Sequence, residues 1–184
     1  MVKGRNIAII LVLLALAGTA LADYKADMVI KANGVSSTGK VFLKGDKARI
    51  EVPGSIVIKR PDKGVTYMLS PKSKTYMEFP DKQTRRKIAL YESMPGVKRL
   101  GTETVNGYPC NKYQISTQGR APSTATIWVS DKLNIELKVV SQSPGRSMTM
   151  DIQNVKRTFL FGKTFEIPKD YTKAPMPARV PMRR

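Results

Sequence analysis

The hydrophobic pattern of residues 39–79 predicts an antiparallel meander of short strands. Apolar residues there fall on alternate positions, which is the period of a strand with one buried face. Residues suited to tight turns, mainly glycine and proline, separate these runs at nearly even spacing. The alternating positions are Val41/Leu43, Ala48/Ile50/Val52, Ile56/Ile58, Val65/Tyr67/Leu69 and Met77/Phe79. We therefore expect one apolar side along the whole meander.

Strong hairpin signals extend the pattern on both sides of the meander. Asn33-Gly34 and Asn106-Gly107 each lie between two alternating runs, and this dipeptide favours a two-residue hairpin turn. Further strands are predicted at residues 24–31, 36–43, 100–105, 108–116, 124–129, 135–142 and 147–155, with a short closing strand at 164–168. The fold class predicted is mainly β (α+β), a curved antiparallel sheet or half-barrel.

One helix interrupts the succession of strands. Between residues 81 and 94 the apolar period changes, because Ile88, Tyr91 and Met94 recur every three residues. Asp81 is a suitable N-cap, and Pro95-Gly96 ends the pattern. We expect this helix to cover the concave apolar face of the sheet.

The two termini differ from the rest of the chain. Residues 1–22 are typical of an export signal, with Lys3 and Arg5 before an apolar run too short to span a bilayer. Cleavage near Ala22 would release one domain, residues 23–171, into the periplasm or the medium. The basic, proline-rich residues 172–184 are predicted to be a disordered tail.

The charge of the chain is strongly positive. It has 32 basic and 14 acidic residues, a net charge of +18, and losing Lys3 and Arg5 with the leader would leave +16. Lysines that protect sheet edges are one explanation. Attraction to an anionic membrane surface or another envelope polyanion is the other. Because the chain is predicted to be exported, no nucleic acid is expected as its partner.

Catalytic chemistry is not evident. The chain lacks histidine, the commonest general base and metal ligand. Its one cysteine, Cys110, is predicted to be a buried apolar residue rather than a reactive thiol. Carboxylates could still converge on a hydrolytic pair, although such residues are usually exposed; the candidates are Glu51, Asp62, Glu78 and Glu103. We predict no catalytic residue, no metal and no cofactor, and no enzyme activity.

The apolar side of the strands is the better candidate for a site. Methionine is enriched in surfaces that adapt to ligands of variable shape, and a strongly curved sheet often encloses unfilled volume. The alternative is that these side chains simply fill the core. The candidate cleft residues are Met28, Tyr67, Met77, Trp128, Met148 and Met150.

A cluster of basic residues is predicted near the cleft. Arg85, Arg86 and Lys87 fall on the predicted helix. They form either a solvated face or a rim that binds an anionic group at the mouth of an apolar cavity.

Several segments resemble an uncharacterised family of bacterial exported proteins. That family carries only a domain-of-unknown-function label and is similar to the outer-membrane lipoprotein carriers, the LolA-like group. The resemblance covers nearly all of the predicted mature chain. Its segments are Gly-Lys-Val-Phe-Leu-Lys-Gly-Asp-Lys-Ala-Arg-Ile-Glu (39–51), residues 60–78, Thr-Val-Asn-Gly-Tyr-Pro-Cys-Asn-Lys-Tyr (104–113), Ile-Trp-Val-Ser (127–130) and Phe-Glu-Ile-Pro-Lys-Asp-Tyr (165–171).

The resemblance implies a half-barrel whose concave apolar face, covered by short helices, can hold acyl chains. Arg49 is the charged position we would test first for a role in closing such a lid. The function expected is that of a periplasmic, non-enzymatic binding protein or chaperone for a lipid or acylated ligand. The alternative is an envelope module that binds a protein or a polyanion and takes no small-molecule ligand.

Overall fold

The computed structural model describes residues 23–81, 87–117 and 122–175. The predicted leader, residues 1–22, lies outside the described residues. In these described ranges twelve strands form one sheet, with two 3-10 helices at Pro61–Lys63 and Gly162–Phe165 and an α-helix between β6 and β7. The elements are β1 (Asp23–Ala32), β2 (Val35–Lys44), β3 (Lys47–Val52), β4 (Ser55–Arg60), β5 (Val65–Ser70), β6 (Thr75–Pro80), α1 (Lys87–Ser93), β7 (Val97–Val105), β8 (Tyr108–Thr117), β9 (Ser123–Ser130), β10 (Ile135–Ser143), β11 (Arg146–Thr158) and β12 (Thr172–Lys173).

The described part of the chain begins with β1 in the middle of the sheet, proceeds outward to β6, and then returns from the edge strand β7 to β11 beside β1. The strand order is β12-β6-β5-β4-β3-β2-β1-β11-β10-β9-β8-β7, and of the strand pairs that the structure describes only β12–β6 is parallel. Consecutive hairpins form both halves, which the antiparallel β1–β11 pair joins. Within the described residues the sheet is curved and open, with β7 and β12 at its edges. The predicted fold class is therefore confirmed.

The two predicted asparagine-glycine hairpins are present. Asn33 and Gly34 have φ of 49° and 82°, and Asn106 and Gly107 have φ of 50° and 82°. Two successive residues with positive φ are what a type I′ turn requires, and its twist matches the flanking strands. These turns fix the β1–β2 and β7–β8 pairs.

The predicted single apolar side of the meander is wrong at β4 and β5, whereas Met77 and Phe79 on β6 return to the predicted face. Ile50 on β3 is opposite Val57 on β4, so Val57 continues the face that carries Ile50. Ile58 is instead opposite Arg49, on the other face. The reason is the two-residue turn after Val52, which sets a register that alternation within each strand cannot reveal.

The sheet therefore has two apolar faces. We call the face that carries Met28, Val41 and Ile50 the inner face, and the opposite face, with Arg49 and Ile58, the outer face. Met28, Val41, Leu43 and Ile152 of the inner face belong to the largest buried cluster. On the outer face a second cluster packs under the chain that follows β11; its buried members are Ile58, Leu69, Leu160 and Phe165.

Two predictions about the segment after β11 are wrong. The closing strand predicted at 164–168 is wrong, because Gly162–Phe165 form a 3-10 helix that inserts the fully buried Phe165 against the outer face. The tail predicted to be disordered from residue 172 begins instead as β12. The Thr172 N–H donates to the Lys74 carbonyl at 2.9 Å, which satisfies an edge group of the sheet. Residues 176–184 lie outside the described residues.

The helix α1 lies on the inner face of the sheet. The Tyr91 ring stacks on Tyr113, with centroids 5.4 Å apart. Tyr113 is opposite Ile127 on β9, which is opposite Val139 on β10, which is in turn opposite Met150 on β11. Tyr113 is therefore on the same face as Met150, which is the inner face. The N-terminal part of the predicted helix, residues 82–86, lies outside the described residues. Among the described residues, no helix has the length and apolar character needed to cross a membrane.

Candidate ligand cleft

A cleft of about 200 Å³ opens on the inner face. One wall is the sheet itself, from β1, β2, β3 and β11, and the other is the chain from Leu133 to Glu136 around the start of β10. The apolar lining consists of Met28, Val41, Leu43, Ala48, Ile50, Leu133, Ile135, Met150 and Ile152. The volume is below the roughly 300–1,000 Å³ of typical ligand pockets. It therefore suits a narrow apolar segment rather than a bulky ligand.

Charged side chains line part of the cleft. Lys47 forms an ion pair with Asp62 at 3.3 Å. Lys59 is half-buried and points to the inner face, because it is opposite Ala48. All 14 acidic residues lie within the described residues, and none of them forms an ion pair with Lys59. The remaining charged lining residues are Asp46, Asp81 and Glu136.

The helix α1 is tied to the cleft through a buried phenol. The Tyr91 hydroxyl donates to Glu136 Oε1 at 2.9 Å. Burial and the neighbouring Glu136 carboxylate both raise the pKa of Tyr91 above its ordinary value. The phenol therefore stays protonated and holds α1 beside the start of β10.

Two of the six predicted cleft residues lie in this cleft. Met28 and Met150 line it, whereas Tyr67, Met77 and Met148 do not. Tyr67 is on the outer face, opposite Ile58, and its ring meets Tyr76 edge-on at 6.0 Å. Met77 is on the inner face, opposite Met68 on β5, and Met148 is 40% exposed near the start of β11.

Trp128, the sixth predicted residue, also lies outside the cleft. Its register partner Lys138 is opposite Asp151, whereas Val139 is opposite Met150, so Trp128 and Met150 point to opposite faces. The indole N–H donates to Glu103 Oε2 at 3.0 Å. The ammonium groups of Lys112 and Lys138 lie 4.9 and 5.1 Å from its ring centroid. The tryptophan therefore does not fill the cleft.

Sequence reasoning found part of the remaining lining. Val41, Leu43 and Ile50 were predicted to be apolar face residues, although not part of the site. Leu133 had no local signal, and the alternation that predicted the strand beginning at Ile135 does not show that the fold brings this strand's start opposite the first strands.

Arg49 does not reach the cleft. It points to the outer face, where its Nε donates to Glu51 at 2.6 Å and its Nη1 to the Thr164 carbonyl at 3.2 Å. It thus holds the 3-10 helix of residues 162–165 against the sheet. The other predicted rim residues, Arg85, Arg86 and the side chain of Lys87, lie outside the described residues.

The carboxylates considered for hydrolysis each have a separate basic partner. The pairs are Glu51–Arg49, Asp62–Arg60, Glu78–Lys173 and Glu103–Lys112. Cys110 is buried, as predicted, and burial raises the pKa of its thiol. In the part of the chain that the structure describes, no three histidine, cysteine or acidic residues gather as metal ligands would.

Solved structures with a similar fold exist at low sequence identity. An uncharacterized conserved protein from Thermus thermophilus has a TM-score of 0.56 at 13% identity, over 83% of this chain and 90% of that chain. A chain of the Pseudomonas aeruginosa MucA/MucB complex has a TM-score of 0.50 at 12% identity, over 82% of this chain and 57% of that chain. A LolA superfamily protein from Nitrosomonas europaea has a TM-score of 0.41 at 9% identity, over 79% and 90% of the two chains.

A comparison with curated proteins finds no match. The family described as "Domain of unknown function (DUF4412)" matches residues 25–135, which is more than half of the chain. The protein therefore belongs to the DUF4412 family.

Proposed function

We propose that this protein is a non-enzymatic binding protein or chaperone that holds a lipid or acylated ligand in the inner-face cleft. The observation that carries the proposal is an unfilled cavity with a mostly apolar lining. Each methylene of a ligand moved from water into such a site contributes about 0.8 kcal/mol. A short stretch of acyl chain is the ligand that best matches a narrow apolar volume.

The half-buried Lys59 supports an anionic head on that ligand. An incoming anion stabilises an ammonium group that lacks a carboxylate partner more than it stabilises an ammonium group that is already paired. The acids that also line the cleft, Asp46, Asp81 and Glu136, disfavour an anion elsewhere along it. We therefore place the carboxylate or phosphate of the ligand beside Lys59, with the acyl chain towards Met28 and Met150.

The predicted leader supports an exported, periplasmic location for this activity. In that location the protein could bind lipids that are in transit from one membrane to another. Fractionating cells that express the full chain, with sequencing of the mature N-terminus, tests this location. Recovery of the uncleaved chain in the cytoplasm would overturn it.

A lipid-binding assay tests the cleft directly. We expect the purified mature chain to release copurified lipid in native mass spectrometry and to bind a fluorescent fatty acid. Ala48 lines the cleft, so Ala48→Phe fills it and is expected to weaken binding at least about tenfold. The matched control is Ala89→Phe on an exposed position of α1, which should bind as the original chain does.

Circular dichroism would establish that Ala48→Phe still folds. Ile50→Phe, a smaller change in volume at the same wall, provides a second filled cleft if it does not. A chain that carries no lipid and ignores the fluorescent fatty acid would overturn the proposal, and so would full binding by both filled variants.

The open β7 edge is the feature that favours the second candidate, an envelope protein-interaction module. β7 is exposed along most of its length and could accept a partner strand. However, Lys98 and Arg99 and a register shift at Gly101 lie on this edge, and such features oppose strand addition. A pull-down from envelope extract that is lost on deleting residues 176–184 or on adding salt would favour this candidate over the cleft.

A further inference from the structure

An exposed aromatic pair follows β11. Phe159 is 72% exposed and Phe161 is 61% exposed, and their rings meet edge-on with centroids 5.0 Å apart. Single apolar residues on a surface are ordinary, but two adjacent exposed phenylalanine rings form a patch. Exposure of this apolar area to water is unfavourable, so the patch requires an explanation.

The pair is held in place by the residue between the rings. Leu160 is buried in the outer-face cluster. Its N–H donates to Asp23 Oδ2 at 2.8 Å, and its carbonyl accepts from Lys44 Nζ at 2.9 Å. Because Leu160 points inward and is fixed on both sides, the neighbouring rings are directed outward by the backbone. The exposure of the rings is thus a built feature of the fold.

Cations surround the aromatic pair. The Lys44 ammonium lies 5.3 Å from the Phe159 ring centroid, and the Lys163 ammonium lies 5.5 Å from that of Phe161. Asp23, an acid that contacts Leu160, is buried and paired with Lys44 at 2.7 Å. Three further exposed bases lie on the adjoining ends of β1 and β11, namely Lys25, Lys156 and Arg157.

We propose that Phe159, Phe161 and the bases around them dock the protein on the surface of an anionic lipid bilayer. Aromatic rings are stable at the level of the headgroups, and lysine or arginine side chains beside them reach lipid phosphates. Each base near an anionic membrane adds to the electrostatic attraction. A protein partner would have to match both the apolar pair and the nearby cations, whereas a bilayer surface matches both without a specific shape.

The docking surface lies at the end of the sheet that also borders the cleft. Lys44 contacts Phe159, and the next residues, Gly45 to Lys47, line the cleft. Docking would therefore bring this end of the cleft towards the bilayer. The inference does not depend on the proposed ligand, because an empty cleft leaves the aromatic pair and its cations unchanged.

Vesicle sedimentation tests the docking surface. We expect the mature chain to bind vesicles that contain phosphatidylglycerol and to bind pure phosphatidylcholine weakly. The double variant Phe159→Ser/Phe161→Ser should lose at least about tenfold in affinity for the anionic vesicles, because two apolar side chains no longer enter the interface. Both side chains are exposed, so circular dichroism should show an unchanged fold.

The matched control removes two exposed apolar side chains from the opposite end of the same strands. Val35, which is 71% exposed, and Met148 are both opposite Ala32, at the far end of β1 from Asp23. Val35→Ser/Met148→Ser should therefore bind the vesicles as the original chain does. If this control loses as much affinity as the phenylalanine variant, the assignment to one end of the sheet is overturned.

A fluorescent reporter separates insertion from adsorption by charge. Phe161→Trp should gain a blue-shifted emission on anionic vesicles that lipids brominated in their acyl chains quench, beyond the signal of Trp128. If the reporter is not quenched, or the double phenylalanine variant binds as tightly as the original chain, charge alone accounts for binding and the proposal is overturned. Absence of binding to either vesicle also overturns it and would favour a protein partner.

Discussion

At the scale of single residues, Arg60 shows how the outer face is held. Its side chain is 7% exposed and donates from Nε and Nη2 to the two oxygens of Asp62, each at 2.8 Å. Its Nη1 also donates to the Phe165 carbonyl at 3.1 Å. One buried guanidinium thus joins β4 to the 3-10 helix that follows β11, which are more than a hundred positions apart in sequence.

Removing this cation should be costly. We expect Arg60→Met to lower the free energy of unfolding by about 1–3 kcal/mol, because the Phe165 carbonyl loses its buried donor and the more exposed carboxylates of Asp62 and Glu166 lose a charged partner. Urea denaturation monitored by circular dichroism measures the change. The control is Lys63→Met. The exposed ammonium of Lys63 lies 3.3 Å from Glu166, and its removal should change the free energy of unfolding by less than about 1 kcal/mol. Equal losses in the two variants would contradict this assignment.

The same pair predicts a dependence of stability on pH. Hydrogen bonds from Arg60, and further from Lys47, hold the pKa of Asp62 well below its ordinary value of 3.8. A depressed pKa in the folded state stabilises the protein above pH 3.8 and loses that contribution as the pH falls below it. We expect Asp62→Asn to be less stable than the original chain at neutral pH and to lose less stability between about pH 5 and pH 2.

Urea denaturation at a series of pH values measures both effects. Asp170→Asn is a useful comparison, since its partner Lys74 also lowers the pKa of Asp170 but the pair is more than half exposed. Its effect at neutral pH should be smaller. Parallel pH profiles for Asp62→Asn and the original chain would show that the Asp62–Arg60 pair does not stabilise the fold.

At the scale of elements, the short 3-10 helix of residues 162–165 has a larger role than its length suggests. It places Phe165, which is fully buried, over Ile58 and Leu69 on the outer face. Without it, β4 and β5 would expose an apolar surface on the side of the sheet away from the cleft. The segment therefore works as a cover for one half of the sheet.

Two phenylalanines four positions apart test this role. Phe165→Ala should lower the free energy of unfolding by about 3–5 kcal/mol, since a large buried side chain is removed and a cavity remains. Phe161→Ala, at a position that is 61% exposed, should change it by less than about 0.5 kcal/mol. Thermal and urea denaturation measure both. A small effect of Phe165→Ala would mean that the segment covers the outer face without stabilising it.

At the scale of the whole molecule, basic residues greatly outnumber acidic residues. The chain has 32 basic and 14 acidic residues, and most of the acids already form ion pairs or hydrogen bonds with described partners. The remaining bases repel one another across the folded surface, which destabilises the compact state. Exposed ion pairs contribute little, about 0–1 kcal/mol each, so screening them costs little.

We therefore expect moderate salt to raise the melting temperature by a few degrees, because it screens the net repulsion more than it weakens single pairs. Differential scanning calorimetry across a range of sodium chloride concentrations measures the effect. Reversing two exposed bases, Lys156→Glu/Arg157→Glu, should reduce the response to salt. A melting temperature that falls as salt is added would show that the surface ion pairs outweigh the repulsion.

Much of this architecture was predictable because its causes are local. A two-residue Asn-Gly turn requires positive φ, and alternation with a period of two marks a strand wherever one face is buried. These signals suffice for the hairpins and for the mainly β class. They also identified Met28 and Met150, which line the cleft.

The tertiary structure alone decided which face each strand presents and where the unfilled volume lies. A turn of given length shifts the register by whole residues, so the apolar sets of β3 and β4 point to opposite faces although each alternates correctly. The return of Phe165 to the outer face and the approach of Leu133 to the first strands are contacts between distant parts of the chain. Periodicity within a segment contains no information about such contacts, and the approach of Leu133 is one that forms the cleft.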